Sequence, residues 1–223
     1  MKIICVVGIR ASGKTTIVEE VTKELIRRGK RVGTVKTVFC PSFSIDNPRS
    51  NTARHARAGA QIVTAKARGE TAILYREALA NSAILSHYTD MDYVLLEGDY
   101  RAPVPRIVAA HAPADARERV NALTFAVSGR IAGQIQELDG LPVISPLSQI
   151  ARLSDLIEER AVDVRGEELD ELLPEEPVTA GKGFCQCGCH KHQRKLEAVR
   201  LSVGGKEVSL TPEQEQIIRD WCK

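Results

Sequence analysis

The chain has 223 residues, 43% of them apolar and 27% charged. That composition suits a folded globular protein and excludes disorder along the whole length. At about 150 residues per domain, the length allows one full domain and a smaller appendage. Its 31 Lys and Arg are balanced by 29 Asp and Glu, for a net charge of +2, and only 4% of residues are aromatic. Neither the basic field nor the stacking rings of a dedicated nucleic-acid binder is supplied.

The first apolar run, Ile3-Ile4-Cys5-Val6-Val7, is too short for a secretory signal or a membrane span. A cytoplasmic protein with no membrane partner is the expectation. Residues 2–7 predict a buried strand, β-branched and stopped by Gly8. Residues 14–28 predict a helix, with Ile17, Val18, Val21, Leu25 and Ile26 on one side and Gly29 as its stop. Further strands are predicted at 31–35, 61–65, 72–75, 93–96, 107–109, 124–127 and 142–144. Short helices are predicted at 49–58 and 149–159. This alternation over residues 1–160 predicts an α/β domain with a mostly parallel, helix-covered sheet.

The turn between the first strand and the first helix carries chemistry. Gly8-Ile9-Arg10-Ala11-Ser12-Gly13-Lys14-Thr15 fits G-x-x-x-x-G-K-[ST], the phosphate-binding loop of P-loop NTPases. The glycines let the backbone wrap closely around phosphate, so that its N–H groups point inward. The helix that follows turns its positive end to the same anion, with Thr16 in its first turn. Lys14 would reach the β- and γ-phosphates, and the Thr15 hydroxyl would coordinate Mg²⁺. Such a site also needs an acidic group near the metal, at the end of a neighbouring strand. Tyr93-Val94-Leu95-Leu96-Glu97-Gly98 supplies one, and Glu97 is the first choice for holding Mg²⁺. Asp46, in Ser42-Phe43-Ser44-Ile45-Asp46-Asn47-Pro48, has two readings. It orients a water or serves as a second metal ligand, or it forms an Asx-type turn before Pro48. Arg49, Arg54, His55 and Arg57 form a basic stretch beside it. Arg54 or Arg57 is a candidate contact to the nucleotide or an anionic substrate, and so are Arg101 and Arg106. No Asn-Lys-x-Asp pattern is present, so the residues alone do not choose GTP over ATP.

Four stretches taken together resemble the MobB family, molybdopterin-guanine dinucleotide biosynthesis protein B. They are the phosphate loop, Arg31-Val32-Gly33-Thr34-Val35-Lys36, the segment from Asp46-Asn47-Pro48 to Arg57-Ala58-Gly59-Ala60, and Leu95-Leu96-Glu97-Gly98. The resemblance covers roughly residues 1–110. It implies GTP binding with Mg²⁺, slow hydrolysis and a homodimer. It also implies an accessory role, beside molybdopterin or its guanylyltransferase, when a guanine nucleotide is attached to molybdopterin. Gly13, Lys14 and Thr15 fall on the family's phosphate and Mg²⁺ positions, and Asp46 and Glu97 on its acidic ones. The loops at Arg49-Ser50-Asn51-Thr52 and Asp99-Tyr100 depart from the family pattern.

After Arg160 the composition shifts. Residues 161–181 read as an acidic linker, and residues 182–223 as a small module of their own. Cys185-x-Cys187-x-Cys189-His190-x-His192 gathers soft and borderline ligands suited to Zn²⁺ or an iron–sulfur cluster, with Cys222 as a further ligand. Val199, Leu201 and Val203 alternate with polar residues, then Gly204-Gly205 precedes Val208 and Leu210, which predicts a two-residue hairpin. Thr211-Pro212-Glu213-Gln214 would open a final helix. These ligands suggest an alternative role as a nucleotide-gated metal carrier or cluster-maturation factor.

Overall fold

The computed structural model describes residues 1–40 and 43–164, and the backbone of 201–203 and 206–208. The chain divides into two compact units, Met1–Phe184 and Cys185–Lys223.

In the first unit, β1 (Lys2–Gly8) leads through the phosphate loop into α1 (Lys14–Arg27), and β2 (Val32–Lys36) follows. Next come α2 (Asn51–Arg57), β3 (Ile62–Lys66), β4 (Thr71–Tyr75), α3 (Asn81–Ser86) and β5 (Tyr93–Glu97). The unit continues through β6 (Arg106–Ala109), α4 (Pro113–Arg117), β7 (Thr124–Ser128), β8 (Glu137–Leu138), β9 (Leu141–Ile144), α5 (Ile150–Arg160) and β10 (Val162–Asp163). The main sheet runs β2-β5-β1-β6-β7-β9-β8, with β10 also paired to β1. Its pairings are parallel except at β8 and β10. The expected mostly parallel α/β fold is therefore the fold observed.

β1 is central, so both of its faces are buried, and its side chains alternate between two cores. Ile4 and Val6 pack with Ile17, Val21 and Leu25 of α1 and with Leu153 and Ile157 of α5. Ile3, Cys5 and Val7 face Val94, Leu96, Ala102, Val104 and Val108. Among the described residues no long helix covers that second face. Short elements cover it instead: Leu85 of α3, Ala116 of α4, Ile131 of a 3₁₀ turn and the connection 98–105. Burial pushes the Cys5 thiol up to about 12, and its Sγ donates to the Asp99 carbonyl at 3.1 Å.

Several elements differ from the sequence reading. β3 and β4 pair with each other, antiparallel, in a sheet of their own. Only residues 67–70 separate them, too few for a crossover between parallel strands. Residues 162–164, read as the start of the linker, belong to the first unit: β10 pairs with Lys2 and Ile3, and buried Val164 donates its N–H to the Met1 carbonyl. α3 and α4 are too short to show a helical period.

In the second unit, β11 (Leu201–Val203) and β12 (Lys206–Val208) pair antiparallel, with Val203 opposite Lys206. That register is the one a two-residue connection requires, as the sequence predicts. The acidic stretch from 165, Cys185, Cys187, Cys189, His190, His192, Cys222 and the predicted last helix lie outside the described residues. Among the described residues no helix is long and apolar enough to cross a membrane.

α1 is tied to α5 by charge. Buried Glu24 accepts from Arg27 Nε at 2.7 Å and Arg28 Nε at 2.9 Å, and Arg28 reaches on to Asp155 at 2.7 Å. Hydrogen bonds from Arg27 and Arg28 hold the Glu24 carboxyl down at about 2. A depressed carboxyl stabilises the fold above its unfolded value near 4.5, and the contribution is lost as pH falls through about 2. Glu24→Gln is therefore expected to be less stable than the parent at neutral pH, with the gap closing between pH 4.5 and 2. Urea melts across that range check it. A gap that does not change with pH would show that the ion pairs are not its source.

Candidate functional site

The phosphate loop takes its shape from backbone that side chains resist. Gly13 has φ +103°, and a Cβ on Gly8 would lie 2.2 Å from the Ala109 carbonyl oxygen. Buried Ser12 donates from Oγ to the Ile9 carbonyl at 2.8 Å. Exposed Arg10 and Ala11 form the tip, where Ala11 has φ +58° and the Arg10 carbonyl lies 3.2 Å from His111 Nε2. α1 then starts at Lys14 with no side-chain cap and no acidic residue in its first turn. The free N–H groups of that turn, Thr16 among them, suit an anion.

Lys14 Nζ donates to the carbonyls of Gly8 at 2.9 Å and Ile9 at 2.6 Å. Burial lowers its pKa from the ordinary lysine value, and the charge of Glu97 opposes that shift. The parallel register sets Val6, Lys36 and Glu97 at one level. Glu97, 6% exposed, accepts from Thr15 Oγ1 at 2.8 Å and from Lys36 Nζ at 2.9 Å. Thr15, Lys36 and Glu97 line a cavity of about 480 Å³, with Thr22 and Thr34 on its walls. A hydroxyl and a buried carboxylate meeting beside a phosphate loop form a hard-oxygen pair of the kind Mg²⁺ takes.

The structure places the other candidates as follows. Asp46 accepts from Ser50 Oγ at 2.7 Å, and Ser50 Oγ in turn caps α2 at Ala53 N. Hydrogen bonds from Ser50 and Thr52 hold the Asp46 carboxyl below the ordinary range, so its partners belong to the turn that opens α2. Arg57 bonds to the Pro48 carbonyl, and no residue of α2 is buried. Arg106 is a correction. It is 4% exposed, and its guanidinium donates to the Tyr100 carbonyl at 3.1 Å and to that of Ala102, so it braces a loop instead of presenting an anion contact. No group of three or more His, Cys, Asp or Glu suited to a metal occurs among the described residues.

Sequence reasoning missed three residues here. Gly129, after β7, backs the phosphate loop: its φ is +89°, and a Cβ there would lie 2.3 Å from the Ser12 carbonyl oxygen. Tyr100 touches Gly8, whose N–H donates to the Tyr100 hydroxyl at 3.0 Å. Lys36 ends β2 against Glu97. Lys36 and Tyr100 lie in stretches quoted for the resemblance and its departures, but without a role of their own, and Gly129 follows a predicted strand.

Comparison with known proteins agrees with this architecture. The sequence model of the MobB family, molybdopterin guanine dinucleotide synthesis protein B, matches residues 3–127. A molybdopterin-guanine dinucleotide biosynthesis adapter protein of Methanocaldococcus jannaschii is 31% identical over 114 residues, 48% of this chain and 47% of its own length. The chain thus spans about half of that relative. A protein of the same description from Bacillus subtilis is 29% identical over 146 residues, 63% of this chain and 83% of its own. The crystal structure of Bacillus subtilis MobB has a similar fold, with TM-score 0.58 and 23% identity over 74% of this chain and 100% of that one. A MobB homologue from Bacillus stearothermophilus gives TM-score 0.54 and 26% identity over 72% and 100%. With the family pattern running over more than half of its length, from β1 through the phosphate loop and Glu97 into β7, this chain belongs to the MobB family.

Proposed function

We propose that the chain is a Mg²⁺-dependent GTP-binding protein and slow GTPase, serving as an adapter in molybdopterin-guanine dinucleotide biosynthesis. Its partners on this reading are GTP, a second copy of itself, and molybdopterin or the guanylyltransferase that acts on it. The observation that carries the reading is the meeting of Thr15 and Glu97 at 2.8 Å beside Lys14 and the uncapped start of α1. Phosphate oxygens take the amides of residues 11–16, and Lys14 leaves the Gly8 and Ile9 carbonyls for them. Thr15 and Glu97 hold Mg²⁺, which when bound offsets the charge of the β- and γ-phosphates. Positioning and electrostatics, with no covalent step by the protein, then account for hydrolysis. The guanine dinucleotide named in the descriptions of the family and of its relatives supports GTP over ATP. Exposed Ile62 and Ile73 on the β3–β4 hairpin offer a homodimer apolar surface to bury.

Equilibrium titration with GTP and ATP, with Mg²⁺ and with a chelator, tests the reading. GTP should bind at least about tenfold more tightly than ATP, a difference of about 1.4 kcal/mol, and chelation should weaken it. Equal, weak binding of both nucleotides would overturn the assignment.

A further inference from the structure

β5 and β6 both run parallel to β1, on opposite sides of it, yet no helix joins them. Residues 98–105 alone make the crossing. Such a connection carries no internal ladder of hydrogen bonds, so side chains must hold it. Arg106 does so from below, buried and without a carboxylate partner among its hydrogen bonds, donating to the Tyr100 and Ala102 carbonyls. Cys5 Sγ holds the Asp99 carbonyl, and the Asp99 carboxylate accepts from Arg101 N at 3.1 Å and Ala102 N at 3.2 Å. These contacts fix the backbone on both sides of Tyr100.

Tyr100 is 40% exposed, but its hydroxyl is engaged. It donates to the Gly8 carbonyl and accepts from the Gly8 N–H at 3.0 Å. The same Gly8 carbonyl accepts from Lys14 Nζ at 2.9 Å. One carbonyl thus carries two donors, one from the phosphate-binding lysine and one from the loop that follows Glu97. When Lys14 turns to phosphate, it must leave that oxygen. A buried or half-buried carbonyl that loses its only donor is costly, by the weight of its lost solvation. With Tyr100 in place, the oxygen keeps a donor throughout.

We propose that Tyr100 is a positioning residue for nucleotide binding: its hydroxyl keeps the Gly8 carbonyl satisfied and so lowers the cost of moving Lys14 onto phosphate. Arg106 supports it by fixing the loop that carries it. The inference rests on the phosphate-binding reading above. It adds that affinity is set partly by a tyrosine outside the phosphate loop, which acts through the lysine and not on the nucleotide.

The test is a double-mutant cycle with the full chain, using nucleoside diphosphate and Mg²⁺ read by calorimetry up to millimolar concentrations. Tyr100→Phe keeps the ring and removes only the hydroxyl. It is expected to weaken binding roughly 3- to 10-fold, the weight of one net hydrogen bond. In the Lys14→Ala background the same substitution should weaken binding less than about twofold, because no lysine has to be freed. The dependence on Lys14 is what a merely structural tyrosine would not show. No weakening by Tyr100→Phe would overturn the proposal, and so would equal weakening in both backgrounds. If the parent chain itself bound no nucleotide, the functional reading would fall, a result distinct from either of these.

Discussion

Lys14→Ala is expected to weaken nucleoside triphosphate binding by about a hundredfold while leaving the fold intact. Lys14 is the cation that the loop holds in reserve, donating to Gly8 and Ile9 carbonyls at 2.9 and 2.6 Å. Burial already lowers its pKa, so the charged form has lost part of its hydration before any ligand arrives. On phosphate it regains charge-assisted hydrogen bonds, each worth about 1.5–3 kcal/mol. Two of them give about 3–6 kcal/mol, and the bonds to the neutral Gly8 and Ile9 carbonyls that Lys14 gives up bring the net loss down to about 3 kcal/mol, roughly a hundredfold in affinity. The amides of the loop and α1 remain, so binding should weaken and not vanish. Calorimetry gives the affinity and a thermal melt gives the stability. An unchanged affinity would mean that phosphate does not lie where the loop places it.

Gly129→Ala should damage both stability and binding. The backbone there has φ +89° and ψ −147°, a region held almost only by glycine and costing other residues about 1–3 kcal/mol. The added Cβ would lie 2.3 Å from the Ser12 carbonyl oxygen, a backbone atom that cannot swing aside. Something must shift, and because Ser12 belongs to the phosphate loop, the loop's shape is disturbed with it. A total near 3 kcal/mol lowers the melting temperature by roughly 10 °C for a unit of this size. Gly133→Ala is the control, since a Cβ there meets nothing within 4 Å. The idea fails if the two variants melt together and bind nucleotide alike.

How much of this was legible in the sequence depends on distance along the chain. The phosphate loop is a run of eight residues, and its chemistry can be read from them alone. Glu97 was legible for a related reason: a buried apolar strand that ends in a carboxylate has few structural uses. Gly129 and Tyr100 were not, because what they do depends on Ser12 and Gly8, more than ninety residues away. No local pattern reports such a contact. Arg106 misled because a basic residue after an acidic strand end resembles an anion contact, and only its burial shows that both of its terminal nitrogens are spent on the Tyr100 and Ala102 carbonyls. The β3–β4 hairpin lay within reach of sequence reasoning, since four residues cannot carry a parallel crossover. Asp46 stays with the turn of α2 because Ser50, three residues ahead of Ala53, satisfies a helix-start amide and needs an acceptor for its own proton.

The thiol of Cys5 has a consequence for anyone handling the protein. It lies fully buried in the middle of the central strand, pushed up to about 12 by that burial, with its proton on the Asp99 carbonyl. Only a thiolate reacts with alkylating reagents, so in the closed fold this sulfur is chemically silent. It becomes reactive only when β1 parts from the 98–105 crossing. The rate at which a reagent consumes Cys5 therefore clocks the opening of the sheet at its centre, beneath the phosphate loop, with no label added to the chain.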